Sequence, residues 1–239
     1  SGQPSNSYSF TDSSSFNSSF TGESGEVYTL QWEVVNLAPC TNSTDTLNIT
    51  FPDCGDNIDF DGTDDYISFA DNYNMNSGPF SLEAWIKADN ISGSKTIISK
   101  RDADVLTTGY DLMLAGDRLR FRWNDNVGLI STQQLNKPKW YHVAVTFDGI
   151  NTYSLFVDGF NVGSTSSGNA PLASTDRFII GATDRDNSIP VNIFEGAIDE
   201  VRIWDYNLTQ TQIRQMMNQE LEANGTNVQG VVVPQNIDG

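Results

Sequence analysis

The segment from Lys139 to Gly163 constrains the fold more strongly than any other part of the chain. Its two arms, Trp140 to Phe147 and Tyr153 to Val157, are short, rich in aromatic and β-branched residues and bounded by Asp-Gly pairs. This pattern is typical of paired β-strands. The segment Val157 to Phe160 predicts a second tight turn, because Asp-Gly tolerates the positive φ of a two-residue hairpin loop. Apolar residues on both faces of the first arm indicate strands that lie deep in a sandwich.

Three further segments accompany this hairpin in a characteristic order: Ile58 to Ile67, Phe80 to Ile86, and Gly196 to Trp204. Together the four motifs resemble laminin G-like domains of the concanavalin A-like jelly-roll superfamily, over about residues 58 to 221. The resemblance implies an all-β, concanavalin A-like jelly-roll sandwich that binds glycans or proteins. It implies no specific ligand.

The flanking regions predict additional modules. In residues 1–57, Tyr28 to Val35 and Thr46 to Phe51 alternate like half-buried strands. This region resembles the last strands of immunoglobulin-like or PKD-like repeats in very large surface proteins of Bacteroidota. Because a complete sandwich of that type needs roughly 100 residues, we predict a partial, small β module at the N-terminus. Thr209 to Leu221 has a capping box and helical apolar spacing, and residues 222–239 are expected to be a linker or the start of another module.

The charge of the chain excludes several partners. Lys and Arg number 13 against 31 Asp and Glu, for a net charge of −18. Such a chain repels nucleic acid and anionic membranes. No run of 18 apolar residues occurs, so membrane insertion is not expected. The acidity suits a soluble extracellular protein and one that binds hard divalent cations through carboxylate oxygens.

The two cysteines, Cys40 and Cys54, both lie in the N-terminal region. Their spacing matches no zinc pattern, and the single histidine, His142, is distant in sequence. We therefore predict a disulfide, with two free thiols as the alternative. A disulfide implies an oxidising compartment, hence a secreted, cell-surface protein.

One candidate binding face combines a strand around Trp85 with a strand on which arginines alternate with apolar residues. Trp85 offers a flat surface for sugar stacking, while Arg120 and Arg122 offer bidentate hydrogen bonds to a carboxylate or sulfate on an acidic polysaccharide. The alternative is structural. In that case the arginines neutralise Glu83 or nearby Asp residues, and Trp85 is buried.

A competing binding site is a rim of polar edge loops, from Lys100 to Tyr110 and from Asp184 to Asn187. Relatives of the resembled family bind ligands through such loops, and loops at the edges of a scaffold often carry function. The candidate contacts in this rim are Arg101, Tyr110, Asp184 and Asp186.

The resemblance also implies a structural calcium ion between the first and last strands of the module. Asp61 and Asp199 lie in those strands and are its predicted ligands. The alternative is a pair of surface carboxylates held by backbone N–H groups at turns. A second calcium ion at the rim would use Asp102 and Asp104, or the two rim acids named above.

Catalysis is not expected from these residues. Glycanases of the same superfamily place two or three carboxylates on alternate residues of one strand. Asp59 and Asp61 alternate, but they lie at the entry strand of the resembled family and are followed by a Gly turn, so we do not assign them as a catalytic pair. His142 has no nucleophile in an elbow or helix-start motif, which favours a structural role. We predict a non-catalytic, calcium-supported module that binds a polysaccharide or glycosylated surface, within a large adhesin such as those of gliding flavobacteria, beside neighbouring domains of the same long chain. The alternatives are an accessory carbohydrate-binding module of a polysaccharide-degrading enzyme, or a spacer.

Overall fold

The computed structural model describes residues 8–11, 13–14, 20–22, 27–35, 41–50, 57–75, 77–125, 127–166, 168–186, 188–224 and 227–231. The chain divides into two compact units, Ser1–Asp56 with Gln235–Gly239 and Asn57–Pro234. Each unit is described by itself below.

The first unit contains two antiparallel hairpins: β1 (Ser9–Phe10) with β2 (Phe20–Thr21), and β3 (Val27–Val34) with β4 (Ser43–Thr50). The second hairpin confirms both strands that alternation predicts there, and Thr29 Oγ1 donates a 2.7 Å hydrogen bond to Asn48 Oδ1 across it. Cys40 and Cys54 lie outside the described residues, so their disulfide stays a prediction.

The second unit is built on two six-stranded antiparallel sheets. In spatial order, the front sheet contains β11 (Val127–Ile130), β10 (Arg118–Trp123), β9 (Tyr110–Ala115), β8 (Ser94–Lys100), β15 (Phe178–Ile180) and β6 (Ile67–Phe69). The back sheet contains β14 (Phe160–Thr165), β13 (Tyr153–Val157), β12 (Trp140–Phe147), β7 (Phe80–Ala88), β16 (Glu195–Trp204) and β5 (Ile58–Asp61). This arrangement confirms the predicted all-β jelly-roll sandwich.

The core lies between the two sheets because each central strand directs alternate residues inward. On β7 these are Phe80, Leu82, Ala84 and Ile86, and on β10 they are Leu119, Phe121 and Trp123. Aromatic rings fill its centre: the rings of Trp123 and Phe147 lie 4.1 Å and 4.4 Å from that of Tyr153. The residues between these inward positions therefore define two outer faces, one on each sheet.

The hairpin that dominates the sequence forms as predicted, with β12 paired to β13 and β13 to β14. Asp158 and Gly159 have φ values of 49° and 71° in the turn between β13 and β14. Positive φ at both central residues is the requirement of a type I′ turn, which Asp-Gly satisfies at low cost. The turn thus sets the pairing of Val157 with Phe160, and the register shifts further along, between Leu155 and Phe156.

The helix after the last long strand is shorter than its apolar spacing predicts. Helix α1 spans Gln210–Met216, with Thr209 as N-cap of a complete capping box. From Glu220 the chain instead enters a hairpin of β17 (Glu220–Asn224) and β18 (Asn227–Val231), where the sequence predicted the end of the helix and a linker or further module. No helix in the described part of the chain is long and apolar enough to cross a membrane.

Candidate functional site

A row of paired residues crosses the outer face of the front sheet. In register order it contains Gly128, Arg122, Asp111, Ser99, Ile179 and Ser68. A parallel row contains Ile130, Arg120, Met113 and Thr96. The face is enclosed over β9, β8 and β15, where Asp111, Ser99 and Ile179 are buried. It is open at β10, where Arg120 and Arg122 are partly exposed.

Arg122 binds Asp111 in the neighbouring strand with a bidentate ion pair. Its Nε lies 2.9 Å from Asp111 Oδ1, and its second terminal nitrogen donates to Oδ2. Burial lowers the pKa of Arg122, but the hydrogen bond and charge of Asp111 outweigh it, so the pKa is raised above its usual value. Asp111 is not among the candidate site residues predicted from the sequence, although nearby Asp residues are predicted there as partners that neutralise the arginines.

Arg101 is a buried guanidinium at the end of β8. Its Nη2 donates a 3.1 Å hydrogen bond to the carbonyl oxygen of Leu106, while Nε and Nη1 have no partner among the described residues. Burial lowers the pKa of Arg101. The charge of Asp111 opposes this effect, the charges of Arg122 and Arg120 lower the pKa further, and the charge of Asp176 raises it.

Arg120 is the most accessible member of this group and lies across Gly128 of the edge strand. A Cβ atom at position 128 would come within 3.1 Å of Arg120 Nε, so the glycine leaves room for the guanidinium. Among the described residues, neither Arg120 nor Arg101 takes part in a salt bridge. Arg101, Arg120 and Arg122 are here called the arginine group. Asp111 is the only carboxylate in the two rows, which contain Arg120 and Arg122 but not Arg101.

The structure does not bring Trp85 to this group, so the predicted composite face is wrong. Trp85 lies on the outer face of β7 in the back sheet, whereas Arg120 and Arg122 lie on the outer face of β10 in the front sheet. The core separates the two faces. Trp85 Nε1 donates a 2.6 Å hydrogen bond to the carbonyl oxygen of Met217, just beyond α1, which is a structural role.

The back sheet also contains a buried ionic network close to Trp85. Glu83 lies 3.4 Å from His142 Nε2 and 3.5 Å from Arg202 Nη1, and it accepts a 3.0 Å hydrogen bond from Trp204 Nε1. Burial raises the pKa of Glu83, but His142, Trp204 and Arg202 together hold it below its usual value. Glu83 is thus neutralised within the back sheet and not by the arginines of β10, and His142 is buried as expected.

The rim acids on the two predicted loops are engaged in local structure. Asp102 Oδ1 accepts the backbone N–H groups of Asp104 and Val105 at 2.7 and 3.1 Å, and its Oδ2 accepts that of Asp186 at 2.6 Å. Asp104 lies 3.0 Å from Arg185. The carboxylate of Asp102 therefore connects its own loop, which also carries Asp104, to the loop that carries Asp186.

The other two rim candidates are buried. Arg177 forms a bidentate ion pair with Asp184, with nitrogen–oxygen distances of 2.8 and 2.9 Å, and the hydrogen bond and charge of Asp184 raise the pKa of Arg177. Tyr110 is a core residue whose hydroxyl donates to the carbonyl oxygen of Tyr73 at 2.7 Å. Arg101, Tyr110 and Asp184 are therefore not exposed rim contacts.

The predicted calcium pair is not assembled either. β5 and β16 are neighbours as expected, but their antiparallel register pairs Asp61 with Glu195 and Ile58 with Ile198. Asp199 therefore lies beyond the opposite end of β5, four residues from the partner of Asp61 and thus about 13 Å away at the rise of a β-strand. The two carboxylates cannot share one ion in this register.

A different acidic group forms around Asp61 in the turn after β5. One carboxylate oxygen from each of Asp61, Asp64 and Asp65 lies within 4.8 Å of the others, and all three residues are exposed. Asp61 Oδ1 also accepts the N–H of Thr63 at 2.7 Å, as the alternative to calcium binding predicts. Within the described residues no other His, Cys, Asp or Glu cluster meets this criterion, and the donor set suits a hard cation such as Ca²⁺.

The architecture is similar to that of several solved structures, two of which contain a bound sugar. The Ruminococcus gnavus IT-sialidase CBM40 bound to α2,3-sialyllactose is 13% identical, with a TM-score of 0.55 over 66% of this chain and 94% of that chain. Domain 4 of AbnA, a GH43 extracellular arabinanase from Geobacillus stearothermophilus, in complex with arabinotriose, is 18% identical, with a TM-score of 0.51 over 66% and 74%. The native heptameric SAP-like pentraxin of Limulus polyphemus is 17% identical, with a TM-score of 0.51 over 67% and 80%.

Sequence comparison identifies the family of the chain. A search of curated proteins finds no match to this chain. The family model of the concanavalin A-like lectin/glucanases superfamily matches residues 61–214, which is most of the sandwich and more than half of the chain. The chain therefore belongs to the concanavalin A-like lectin/glucanase superfamily.

Proposed function

We propose that this chain is a non-catalytic glycan-binding module whose binding face is the open side of the front sheet at β10. One observation carries the proposal. On the back sheet, Trp85 and Arg202 donate to backbone carbonyl oxygens at the end of α1, whereas Arg120 and Arg122 on the front sheet are partly exposed. A guanidinium presents a planar set of donors that suits bidentate hydrogen bonding, so this face can hold polar groups of a sugar.

The absence of catalysis is part of the proposal. Glu83 and His142 resemble an acid–base pair, but both are buried in the network that also holds Arg202 and Trp204. A general base must come within hydrogen-bond reach of the proton that it abstracts. The enclosed pair cannot meet that requirement without displacing α1.

The biological setting that we propose is a large, secreted cell-surface adhesin, in which this module binds a polysaccharide or glycosylated surface beside other domains of the same chain. The net charge of −18 suits a soluble extracellular protein. An accessory role in a polysaccharide-degrading enzyme is the second candidate, because two of the similar structures are modules of a sialidase and an arabinanase. A catalytic domain in the same gene would favour the second candidate.

The proposal predicts that the protein is retained on a glycan array and that Arg120→Glu abolishes retention. The substitution replaces a donor on the open face with an acceptor of opposite charge. The measurement is array fluorescence of the full chain, with circular dichroism to verify folding. Arg214→Glu is the matched control, since Arg214 lies on α1, over the ring of Phe160 of the back sheet, and undergoes the same change of charge.

The competing rim site is tested in the same assay. Asp104 and Asp186 are the exposed rim carboxylates, so Asp104→Ala with Asp186→Ala should leave retention unchanged. Loss of retention in this variant, with normal retention in Arg120→Glu, would move the site to the rim. If no glycan retains the protein under any condition, the chain is a spacer.

A further inference from the structure

We infer that the ligand of the arginine group is an acidic glycan, one whose sugars carry carboxylate or sulfate groups. This inference rests on the proposed function and deepens it. In this inference the acidic group of the glycan binds Arg120 directly, and the positive charges of Arg101 and Arg122 strengthen that binding. Arg101 is assigned as a positioning residue because it is buried and makes no contact with solvent.

The first support is the local charge balance. Asp111 is the only carboxylate in the two rows that contain Arg120 and Arg122. Around Arg101, the positive charges of those two arginines act against the negative charges of Asp111 and Asp176, so three guanidinium groups face two carboxylates. Asp111 is itself fully buried and held by Arg122 on both oxygens. Positive charge therefore predominates at this place in a chain whose net charge is −18, and an anion would supply the missing counter-charge.

The second support is the buried guanidinium of Arg101. Two of its nitrogens, Nε and Nη1, are buried without a hydrogen-bond partner among the described residues. Burying a charged donor in this way costs free energy unless a counter-charge compensates it. Because Coulomb interactions strengthen as the surroundings become less polar, an anion on the adjacent open face would stabilise Arg101 without touching it.

The third support is the composition of the face. The two rows contain arginine, small polar and aliphatic residues, and no aromatic side chain among the residues that the structure describes. Aromatic residues are a usual part of the lining of small-molecule sites. A face without them depends on charge-assisted hydrogen bonds, which are about twice as strong as neutral ones. An uncharged sugar would therefore bind weakly here.

The experiment compares three polymers with one backbone: dextran, carboxymethyl dextran and dextran sulfate. The full chain should bind either charged polymer, or both, and bind dextran at least tenfold more weakly in isothermal titration calorimetry. Which charged polymer binds identifies the carboxylate or the sulfate as the recognised group. Arg120→Ala should weaken binding on the order of tenfold to a hundredfold, the cost of losing charged hydrogen bonds, and Arg120→Lys should weaken it less.

Arg214→Ala is the control for general charge, because it removes one positive charge from α1 and should leave the affinity unchanged. Equal losses in Arg214→Ala and Arg120→Ala would overturn the inference. Arg101→Met should weaken binding and Arg101→Lys should restore part of it, a rescue that a purely structural role would not produce. If Arg101→Met does not fold, the Arg120 variants decide the matter.

The outcomes separate this inference from the proposed function. Equal affinity for dextran and the charged dextrans would overturn the acidic-glycan assignment and leave glycan binding intact. Binding to neutral glycans of the array but to neither charged polymer would do the same. Failure to bind any of the three polymers and any array glycan would overturn both.

Discussion

Glu83 shows how surroundings determine the role of a single residue. It lies on the outer face of β7, where a carboxylate in an open sheet would be solvated. Here it is buried against Arg202 and His142, and Arg202 in turn donates to the carbonyl oxygens of Met216 at 2.9 Å and of Gln219. The carboxylate therefore neutralises the charge of a residue that holds the end of α1 and the chain that follows it.

Glu83→Gln should destabilise the protein by about 1–3 kcal/mol at neutral pH, because it leaves buried donors without their charged acceptor. The folded-state pKa of Glu83 is lowered from 4.5, so its stabilisation is present above the unfolded value and is lost as the pH falls through the folded one. The difference between wild type and variant should shrink below about pH 4.5. Urea unfolding at a series of pH values measures it.

Glu200→Gln is the matched control for this prediction. Glu200 also binds Arg202, at 2.7 Å, but its side chain is 30% exposed. Solvent compensates for lost interactions at partly exposed sites. Glu200→Gln should therefore lower the free energy of unfolding less than Glu83→Gln does. If both variants lower the free energy of unfolding equally, the burial of Glu83 does not determine how much this residue stabilises the protein.

At the scale of elements, α1 illustrates how a short helix is stabilised by its contacts. Seven residues are too few for an isolated helix in water. Ile213 packs with Leu208, Ala144 and Phe156 on the outer face of the back sheet, and the capping box at Thr209 satisfies donors at the helix start. Packing and capping together hold α1 over the buried network.

Thr209→Ala should lower the free energy of unfolding by about 1 kcal/mol, the usual cost of losing an N-cap side chain. The measurement is chemical denaturation followed by tryptophan fluorescence. Thr211→Ala is the control, because Thr211 is exposed within the helix and alanine has the higher helix propensity, so this variant should be neutral or slightly more stable. If both variants behave alike, the capping box does not stabilise the protein.

At the scale of the whole molecule, the negative charge gives calcium two ways to stabilise the fold. A cation bound only by the folded state stabilises it by mass action, and the group of Asp61, Asp64 and Asp65 is the place where we propose such binding. Any salt also screens the self-repulsion of a chain with a net charge of −18. The two effects require separate controls.

Calcium should raise the melting temperature more than sodium chloride of equal ionic strength, and Asp64→Asn with Asp65→Asn should remove the difference. Differential scanning calorimetry of the full chain measures both. Asp89→Asn with Asp205→Asn is the control, because these exposed residues give the same change of charge away from the cluster. Superimposable melts in calcium and sodium would contradict a calcium site.

The sequence by itself determined the parts of the fold that depend on local geometry. The Asp-Gly turn between β13 and β14 needs positive φ, and it occurs where the sequence predicts it. The same reasoning applies to Arg122 in the candidate site. A two-residue turn pairs Ala115 with Arg118, and counting back from it places Asp111 opposite Arg122. The partner of Arg122 was therefore accessible from sequence, because a short turn fixes hairpin register.

Only the tertiary structure decided which strands lie side by side on one face of the molecule. Trp85 and Arg120 both alternate with apolar residues, but β7 and β10 entered different sheets, so the core separates them. The register of β5 against β16 separated Asp61 from Asp199. These outcomes depend on contacts between residues far apart in sequence. The packing of the whole chain, and not the geometry of any one turn, sets such contacts.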